Sequence, residues 1–304
     1  MPLVTTSDLP LRALYTGLNV AFQEQYTAAL EQGARTRVAT EVPSNAESED
    51  YAFLGAVPGV REFLGERQFR DLAGYSYNIK NKEWENSIAV KRADIEHDKL
   101  GLIRMRVQDM AVRAAQYQDQ LTFETLANGF SQTCYDGQYF FDTDHAGSSG
   151  NQSNKGTSAL SAASLQAAIT AMMKFEDDQG NVLGVAPDTL VVPPDLKWTA
   201  MELLNSTYNV NTASSNTPMM TNVLQGALDL VVSPYLKDTN NWYVLCTRGV
   251  MKPLIYQMDT PVEFKALENN SEVEFMRAQY LYGTYARYNV GYGLWQFAYG
   301  SQVS

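Results

Sequence analysis

Residues 98–129 read DKLGLIRMRVQDMAVRAAQYQDQLTFETLANG and contain no proline. Apolar side chains recur in this stretch at alternating steps of four and three, which places them on one face of a helix. They are Ile103, Val107, Met110, Ala114, Tyr117 and Leu121. Asp98 can cap the start, and Asn128-Gly129 can end the helix. The stretch therefore predicts a single helix about 45 Å long, more than a compact domain of this size needs across its middle.

The composition indicates a globular protein that does not recognise nucleic acid directly. The chain has 304 residues, 45% of them hydrophobic, and a net charge of -11 from 23 Lys and Arg against 34 Asp and Glu. An anionic surface opposes tight binding to phosphate backbones. The sequence shows no signal-peptide pattern at its start and no apolar run long enough to cross a membrane. We therefore expect a soluble, intracellular protein.

Two segments ahead of the long helix have regular patterns. Ser7–Gln32 carries apolar residues at helical spacing and predicts a helix in an N-terminal arm. Residues 75–95 alternate apolar and polar side chains on both sides of Lys80–Lys82, which predicts a β-hairpin that turns there. Because an isolated two-stranded hairpin is marginally stable in water, the apolar side around Trp84 needs a cover. Within the chain only the arm could supply that cover, and the alternative is another copy of the protein.

The remaining sequence predicts a mixture of helices, strands and polar loops. Helices are expected at Ser164–Phe175 and Asp195–Leu204, and loops at 147–164 and 205–222. Strands are expected at Thr189–Val192, Leu228–Val232, Trp242–Cys246, Lys252–Tyr256 and Val262–Lys265, followed by an aromatic-rich run from Val273 to Tyr299. Aromatic residues at alternating positions are favoured in strands for packing reasons alone.

One cluster resembles a metal or acid–base site. Asp142, Asp144 and His145 offer two carboxylates and an imidazole that could converge on a divalent ion, so a metal-dependent hydrolase is the competing functional class. A cluster of this kind without a second set of ligands is more often a solvated turn. Cys134 and Cys246 fit reduced structural thiols, although a Cys134–His145 pair stays open. The chain contains no GxSxG, P-loop, GxGxxG or HExxH motif, and we expect neither catalysis nor a cofactor.

Three separated segments resemble a known family. They are GERQFRDLAGYSYNIKNKEWENSIAVKRADIEHDKLG at 65–101, CYDGQYFFDTDH at 134–145 and YGTYARYNVGYGLWQFAYG at 282–300. Each is similar to the corresponding segment of the Mu-like major head subunit family, gpT, whose members are major capsid proteins of tailed phages with the HK97 fold. The similarity runs from the arm to the C-terminus.

The resemblance implies an α+β, HK97-like capsid fold with a defined order of parts. The N-terminal arm would occupy residues 1–50, and the E-loop region 51–97 would contain the hairpin. The P-domain would occupy 98–206 with residues 98–129 as its spine helix, and the A-domain 207–257. Residues 258–304 would return to the P-domain as strands.

The resemblance also implies a function and partners. The chain would assemble into hexamers and pentamers of an icosahedral phage head that encloses double-stranded DNA without binding it specifically. We expect a separate scaffold, protease and portal, a possible decoration protein, and assembly in the host bacterial cytoplasm. An encapsulin-like compartment, which shares the fold, is the alternative shell. We predict no covalent crosslink between subunits, although Lys80, Lys82, Asn269 and Asn270 lie in plausible regions.

Contacts between subunits are expected on the predicted hairpin and on the exposed side of the long helix, where Asp109 and Arg113 can pair four residues apart. The residues predicted to make these contacts are Tyr77, Ile79, Lys80, Lys82, Trp84, Ile88, Arg92, Asp109 and Arg113.

Overall fold

The long helix is present as α4, Leu100–Ala127, and a 3₁₀ turn at Asn128–Phe130 ends it. Ile103, Val107 and Met110 of the predicted stripe are buried, as expected. The rest of the stripe, Ala114, Tyr117 and Leu121, is only half-buried, and the fully buried positions of the second half include Gln118 and Thr122. The proposed capping residue Asp98 lies outside the described residues.

The computed structural model describes residues 8–54, 74–96, 100–147, 150–177, 180–209, 220–249, 251–267 and 271–303. The other helices are α1 (Asp8–Gln32), α2 (Arg35–Val38), α3 (Arg92–Glu96), α5 (Ala162–Met173), α6 (Lys197–Asn205) and α7 (Glu272–Arg277). The strands are β1 (Ala39–Pro43), β2 (Ser48–Leu54), β3 (Gly74–Lys80), β4 (Lys82–Lys91), β5 (Lys155–Gly156), β6 (Thr189–Val192), β7 (Tyr208–Asn209), β8 (Met220–Thr221), β9 (Asp229–Val232), β10 (Trp242–Leu245), β11 (Leu254–Leu267), β12 (Gln279–Tyr292) and β13 (Ala298–Ser301).

A four-stranded sheet in the order β1-β11-β12-β4 supports the two long helices. Side chains alternate along β12, so that every second one is buried against α1 and α4. The contact with α1 is aromatic, since Phe22 stacks on Phe264 at a centroid distance of 5.1 Å. The helix predicted at Ser7–Gln32 is therefore confirmed as α1, and it packs on the sheet and α4 of its own chain.

The predicted hairpin at 75–95 is wrong. Its two strands exist as β3 and β4, but β3 pairs with β2 and β4 pairs with β12. Only Asn81 separates β3 from β4, and a single residue cannot reverse the chain between adjacent antiparallel strands. Asn81 is buried and donates to the carbonyl oxygen of Ala46 at 2.8 Å. It marks the point where the chain passes from one sheet into the other.

Trp84, on the apolar side of β4, packs on α4 and β12 of its own chain, a cover that the sequence did not predict. The Trp84 ring lies 4.8 Å from that of Tyr117 on α4 and 5.9 Å from that of Tyr288 on β12. The indole Nε1 donates to the carbonyl oxygen of Tyr288 at 2.9 Å. This cover was missed because the partner of β4 lies 200 residues further along the chain.

A second sheet has the order β5-β13-β10-β6-β9, with α5 and α6 following β5 and β6 along the chain. All residues of its central strands β6 and β10 are buried, as expected for strands covered on both faces. The predicted helices appear as α5 and α6 within a few residues, and Ser161 and Ser164 form a capping box before α5. This sheet combines strands from before residue 206 with strands from after residue 258.

Candidate inter-subunit surfaces

The first half of α4 presents an exposed stripe next to β4. Leu102, Met105, Arg106, Asp109 and Arg113 follow one another at steps of one, three or four and are all exposed. Beside them β4 is an edge strand, since β12 is its only partner in the part of the chain that the structure describes. The space between the stripe and this strand is called the α4/β4 groove below.

Two hollows lie in the α4/β4 groove. One, of about 500 Å³, is lined by Ile88, Ala89 and Val90 on β4 and by Leu102 and Arg106 on α4, and is called the Ile88 hollow. The other has a volume of about 240 Å³ and is called the Trp84 hollow. Its walls include Trp84, Tyr117, Val262, Ala286, Tyr288 and Arg113. Both hollows are mainly apolar, which is the usual character of a surface that receives side chains.

The predicted contact residues divide into two groups. Lys80, Lys82, Arg92, Asp109 and Arg113 are exposed. The other four are committed to contacts in their own chain: Tyr77 beside Tyr292, Ile79 against Ile255, and Trp84 and Ile88 against the main core. The sequence pattern correctly placed all nine residues in helices or strands. It could not show which of their apolar side chains are covered by other parts of the same chain.

Four of these five exposed charged residues take part in ion pairs. Arg113 Nε lies 3.1 Å from Asp109 Oδ2, as predicted for residues four apart on a helix. Lys80 lies 2.9 Å from Glu47, and its hydrogen bond lowers the pKa of that carboxyl. Arg92 reaches Glu274 at 3.3 Å. Water screens such exposed pairs, so they order side chains without deciding the fold.

The antiparallel pair β2–β3 forms a two-stranded sheet of its own within the described residues. Near its base, Tyr51 Oη donates to Gln257 Oε1 at 2.9 Å, and Ile79 is buried beside Ile255. Further out, Ala52 and Ser76 are exposed although they face each other across the pair. The base of the pair is therefore fixed to the larger sheet, whereas these outer residues are solvent-accessible in the single chain.

The cluster predicted at Asp142, Asp144 and His145 is not assembled. Asp142 instead accepts hydrogen bonds from the backbone N–H groups of Tyr139 and Thr143, whereas His145 turns inward, fully buried. His145 Nδ1 lies 2.6 Å from Asp136 Oδ2, and its ring stacks on Trp295 at 4.1 Å. The sequence predicted the wrong carboxylates.

Cys134, Asp136 and His145 do converge, with ligand atoms within 4.8 Å of one another. The Cys134 thiol donates to Asp136 Oδ1 at 3.1 Å, while burial and the Asp136 charge raise its pKa. Burial alone would raise the pKa of Asp136, but hydrogen bonds from His145 and Cys134 outweigh it and lower that pKa. A thiol whose pKa is raised is a poor nucleophile, so the arrangement suits a buried hydrogen-bonded cluster better than a Cys/His catalytic pair.

Asn154 completes this cluster. Its Nδ2 donates to the carbonyl oxygens of Phe140, Trp295 and Ala298, which orients its Oδ1 toward His145 Nε2 at 3.2 Å. The segment after α4 is thereby tied to the C-terminal residues that pack on it. No sequence motif identified Asn154, because an asparagine in a Gly/Ser/Asn-rich stretch is typical of an exposed loop.

No helix in the described residues is long and apolar enough to cross a bilayer.

Comparison with known proteins agrees with this architecture. The chain matches the family described as Mu-like prophage major head subunit gpT over residues 11–159, 154–236 and 237–304. It is 29% identical to the Mu-like prophage FluMu major head subunit of Haemophilus influenzae, over 97% of this chain and 73% of that protein. It is also 29% identical to the major capsid protein of Escherichia phage Mu, over 95% and 72%.

A solved structure of a phage capsid subunit has a similar fold. The chain superposes on a subunit of the procapsid of bacteriophage JBD30 with a TM-score of 0.56 and 29% identity, over 96% of this chain and 76% of that one. The fold is accordingly the mixed helix-and-sheet, HK97-like fold of phage capsids. The fold alone does not distinguish a phage head subunit from the encapsulin-like alternative, because both share it. The family match favours the phage head subunit. The chain belongs to the Mu-like prophage major head subunit gpT family, the major capsid proteins of Mu-like phages.

Proposed function

We propose that this head subunit assembles as hexamers and pentamers into an icosahedral shell around double-stranded DNA, in the cytoplasm of the host bacterium. Separate scaffold, protease and portal proteins would act during assembly, with a decoration protein as a further partner. The observation that carries the proposal is that one chain displays both a separate two-stranded sheet, β2–β3, and the open α4/β4 groove.

The pair β2–β3 supplies the projecting element. A two-stranded sheet is marginally stable alone, and among the described residues this one packs on its own chain through Tyr51, Tyr77 and Ile79. A neighbouring subunit would cover the outer part, where Ala52 and Ser76 are exposed. We therefore assign the E-loop to the strands β2 and β3, in place of the hairpin expected for residues 75–95.

The α4/β4 groove supplies the receiving surface. The Trp84 hollow can take apolar side chains, and Asp109 and Arg113 beside it can make polar contacts. Burying apolar area there stabilises a contact by about 25 cal/mol per Å², so many modest contacts can sum to a stable shell. Lys80, Lys82 and Arg92 remain proposed contact residues, at the base of β2–β3 and at the ends of β4.

The two larger sheets suggest where the spine helix, the P-domain and the A-domain lie in this chain. We assign α4 as the spine helix and the four-stranded sheet with α1 as the core of the P-domain. The five-stranded sheet with α5 and α6 would form most of the A-domain, which then begins before residue 207. The net charge of -11 suits a lining that does not hold DNA tightly.

Electron microscopy of the chain co-expressed with its scaffold tests the proposal. We expect closed shells for the wild type and a loss of at least tenfold in shell yield for Arg113→Glu, which reverses the charge on the groove rim. Lys174→Glu makes the same charge change at another exposed position and should assemble normally. A wild-type chain that stays monomeric with its scaffold, or an Arg113→Glu variant that assembles as well as Lys174→Glu, would contradict the proposal.

A further inference from the structure

The short helix α7 displays two apolar side chains in water. Phe275 is 90% exposed and Met276 is 70% exposed. Large apolar side chains presented together at this level of exposure are typical of interaction sites. The two residues are called the Phe275–Met276 knob below.

The knob is held in a fixed position. Ser271 caps α7 by accepting a hydrogen bond from the Glu274 N–H at 3.1 Å, and Arg92 contacts the Glu274 carboxylate at 3.3 Å. Ala278 ends the helix with φ of 50°, a left-handed conformation that is strained for a residue with a side chain. The backbone N–H of Arg92 donates to the carbonyl oxygen of Ala278 at 3.0 Å. The helix is therefore preorganised while its apolar residues have no cover.

A matching recess lies on the same end of the molecule. The end of β4 leads into Arg92, which contacts α7, and the last residues of β4 line the Ile88 hollow. The hollow has about 500 Å³, which is enough for large side chains. Phe275 does not line it and is almost fully exposed, so in its own chain the knob does not fill the recess.

Charges around the two surfaces are complementary. Arg106 and Asp94 both line the Ile88 hollow, and α7 carries Glu272 before the knob and Arg277 directly after it. A knob seated in the hollow of another chain brings these opposite charges toward each other. Since knob and recess are different patches of one chain, each copy can both insert a knob and receive one.

We propose that the Phe275–Met276 knob of one subunit inserts into the Ile88 hollow of a second copy. This inference rests on the proposed shell and names a contact within it that is separate from the β2–β3 pair. The knob would provide the apolar anchor and the Glu272–Arg106 pair the orientation, in the manner of an interface with a buried centre and a polar rim.

Two single-cysteine variants test the contact directly. Chains carrying Phe275→Cys are co-expressed with chains carrying Leu102→Cys, assembled and oxidised. Both native cysteines are buried, and each new cysteine is exposed, so the expected product is a disulfide-linked dimer that appears only in the mixture. Phe275→Cys mixed with Trp198→Cys, another exposed position, is the matched control and should give no dimer.

The outcomes separate this inference from the proposed function. Shells without a dimer in the first mixture, or a dimer from Phe275→Cys alone, would overturn the knob-in-hollow contact while leaving the shell intact. A second variant, Phe275→Asp, should lower shell yield at least tenfold without changing the melting temperature of the unassembled subunit, because the side chain makes almost no contact in one chain. Normal shells from this variant would also overturn the contact. If the wild type forms no shells, the proposed function fails, and this inference fails with it.

Discussion

The ring of Trp84 on β4 lies 4.8 Å from the ring of Tyr117 on α4, at an interplanar angle of 60°. This edge-to-face pair connects the edge strand of the four-stranded sheet to the middle of the long helix. Trp84 thus belongs to the fold of the single chain, and it also forms a wall of the Trp84 hollow. The same side chain stabilises the subunit and shapes the surface on which we expect a neighbour to dock.

Trp84→Ala should destabilise the unassembled subunit by about 2–3 kcal/mol, because it removes a large, partly buried side chain and leaves a cavity. The sequence-based hairpin predicts the opposite, namely that changes at Trp84 block assembly while the subunit stays equally stable. Urea denaturation followed by circular dichroism distinguishes the two. Trp198→Ala, at an exposed tryptophan, is the control and should change stability by less than about 0.5 kcal/mol.

The pattern of alternating residues identified β3 and β4 correctly and their partners wrongly. Alternation depends on which side chains face a core, so it finds strands, but strand pairing depends on contacts distant in sequence. The pairing of Trp84 with Ala286 spans 202 positions, and no local signal encodes it. The long helix was predictable because its stripe and its hydrogen bonds are local. The carboxylates around His145 were misassigned because the inward turn of its ring depends on packing against Trp295, 150 positions away, which sets it beside Asp136.

Asp136 predicts a particular response of stability to acid. Hydrogen bonds from His145 and Cys134 hold its pKa in the folded protein below the ordinary value of an aspartate, so its ionised form stabilises the fold at neutral pH. That contribution is complete above the unfolded value and is lost as pH falls through the folded pKa. In Asp136→Asn the buried His145 loses its charged partner, and we expect a loss of about 1–3 kcal/mol at pH 7.

The stability difference between wild type and Asp136→Asn should therefore be largest at neutral pH and shrink below about pH 4. Denaturation curves at pH 7, 5, 4 and 3 measure this convergence. Asp144→Asn removes a more exposed carboxylate nearby and serves as the control, with little change at any of these pH values. A difference between wild type and Asp136→Asn that stays constant from pH 7 to pH 3 would contradict the assigned role of the carboxylate.

Asn154 gives the sharpest test of the buried network, because aspartate has nearly the same shape. In Asn154→Asp, an oxygen replaces the Nδ2 group that donates to the carbonyl oxygens of Phe140, Trp295 and Ala298. The three carbonyl oxygens then lose their donor. If the new aspartate is ionised they face a buried negative charge, and if it is protonated it can donate only one hydrogen bond. We expect a loss of at least about 3 kcal/mol, the range found when a buried polar network is broken.

Thermal unfolding of the unassembled subunit measures this loss, and Asn151→Asp, at an exposed position three residues earlier, controls for the change of charge. Because Asn154 ties the segment after α4 to the C-terminal residues, Asn154→Asp should also increase hydrogen exchange at both Phe140–Phe141 and Trp295–Ala298. Faster exchange at only one of the two segments would mean that they are held independently. Equal melting temperatures for the two aspartate variants would show that the network does not stabilise the subunit.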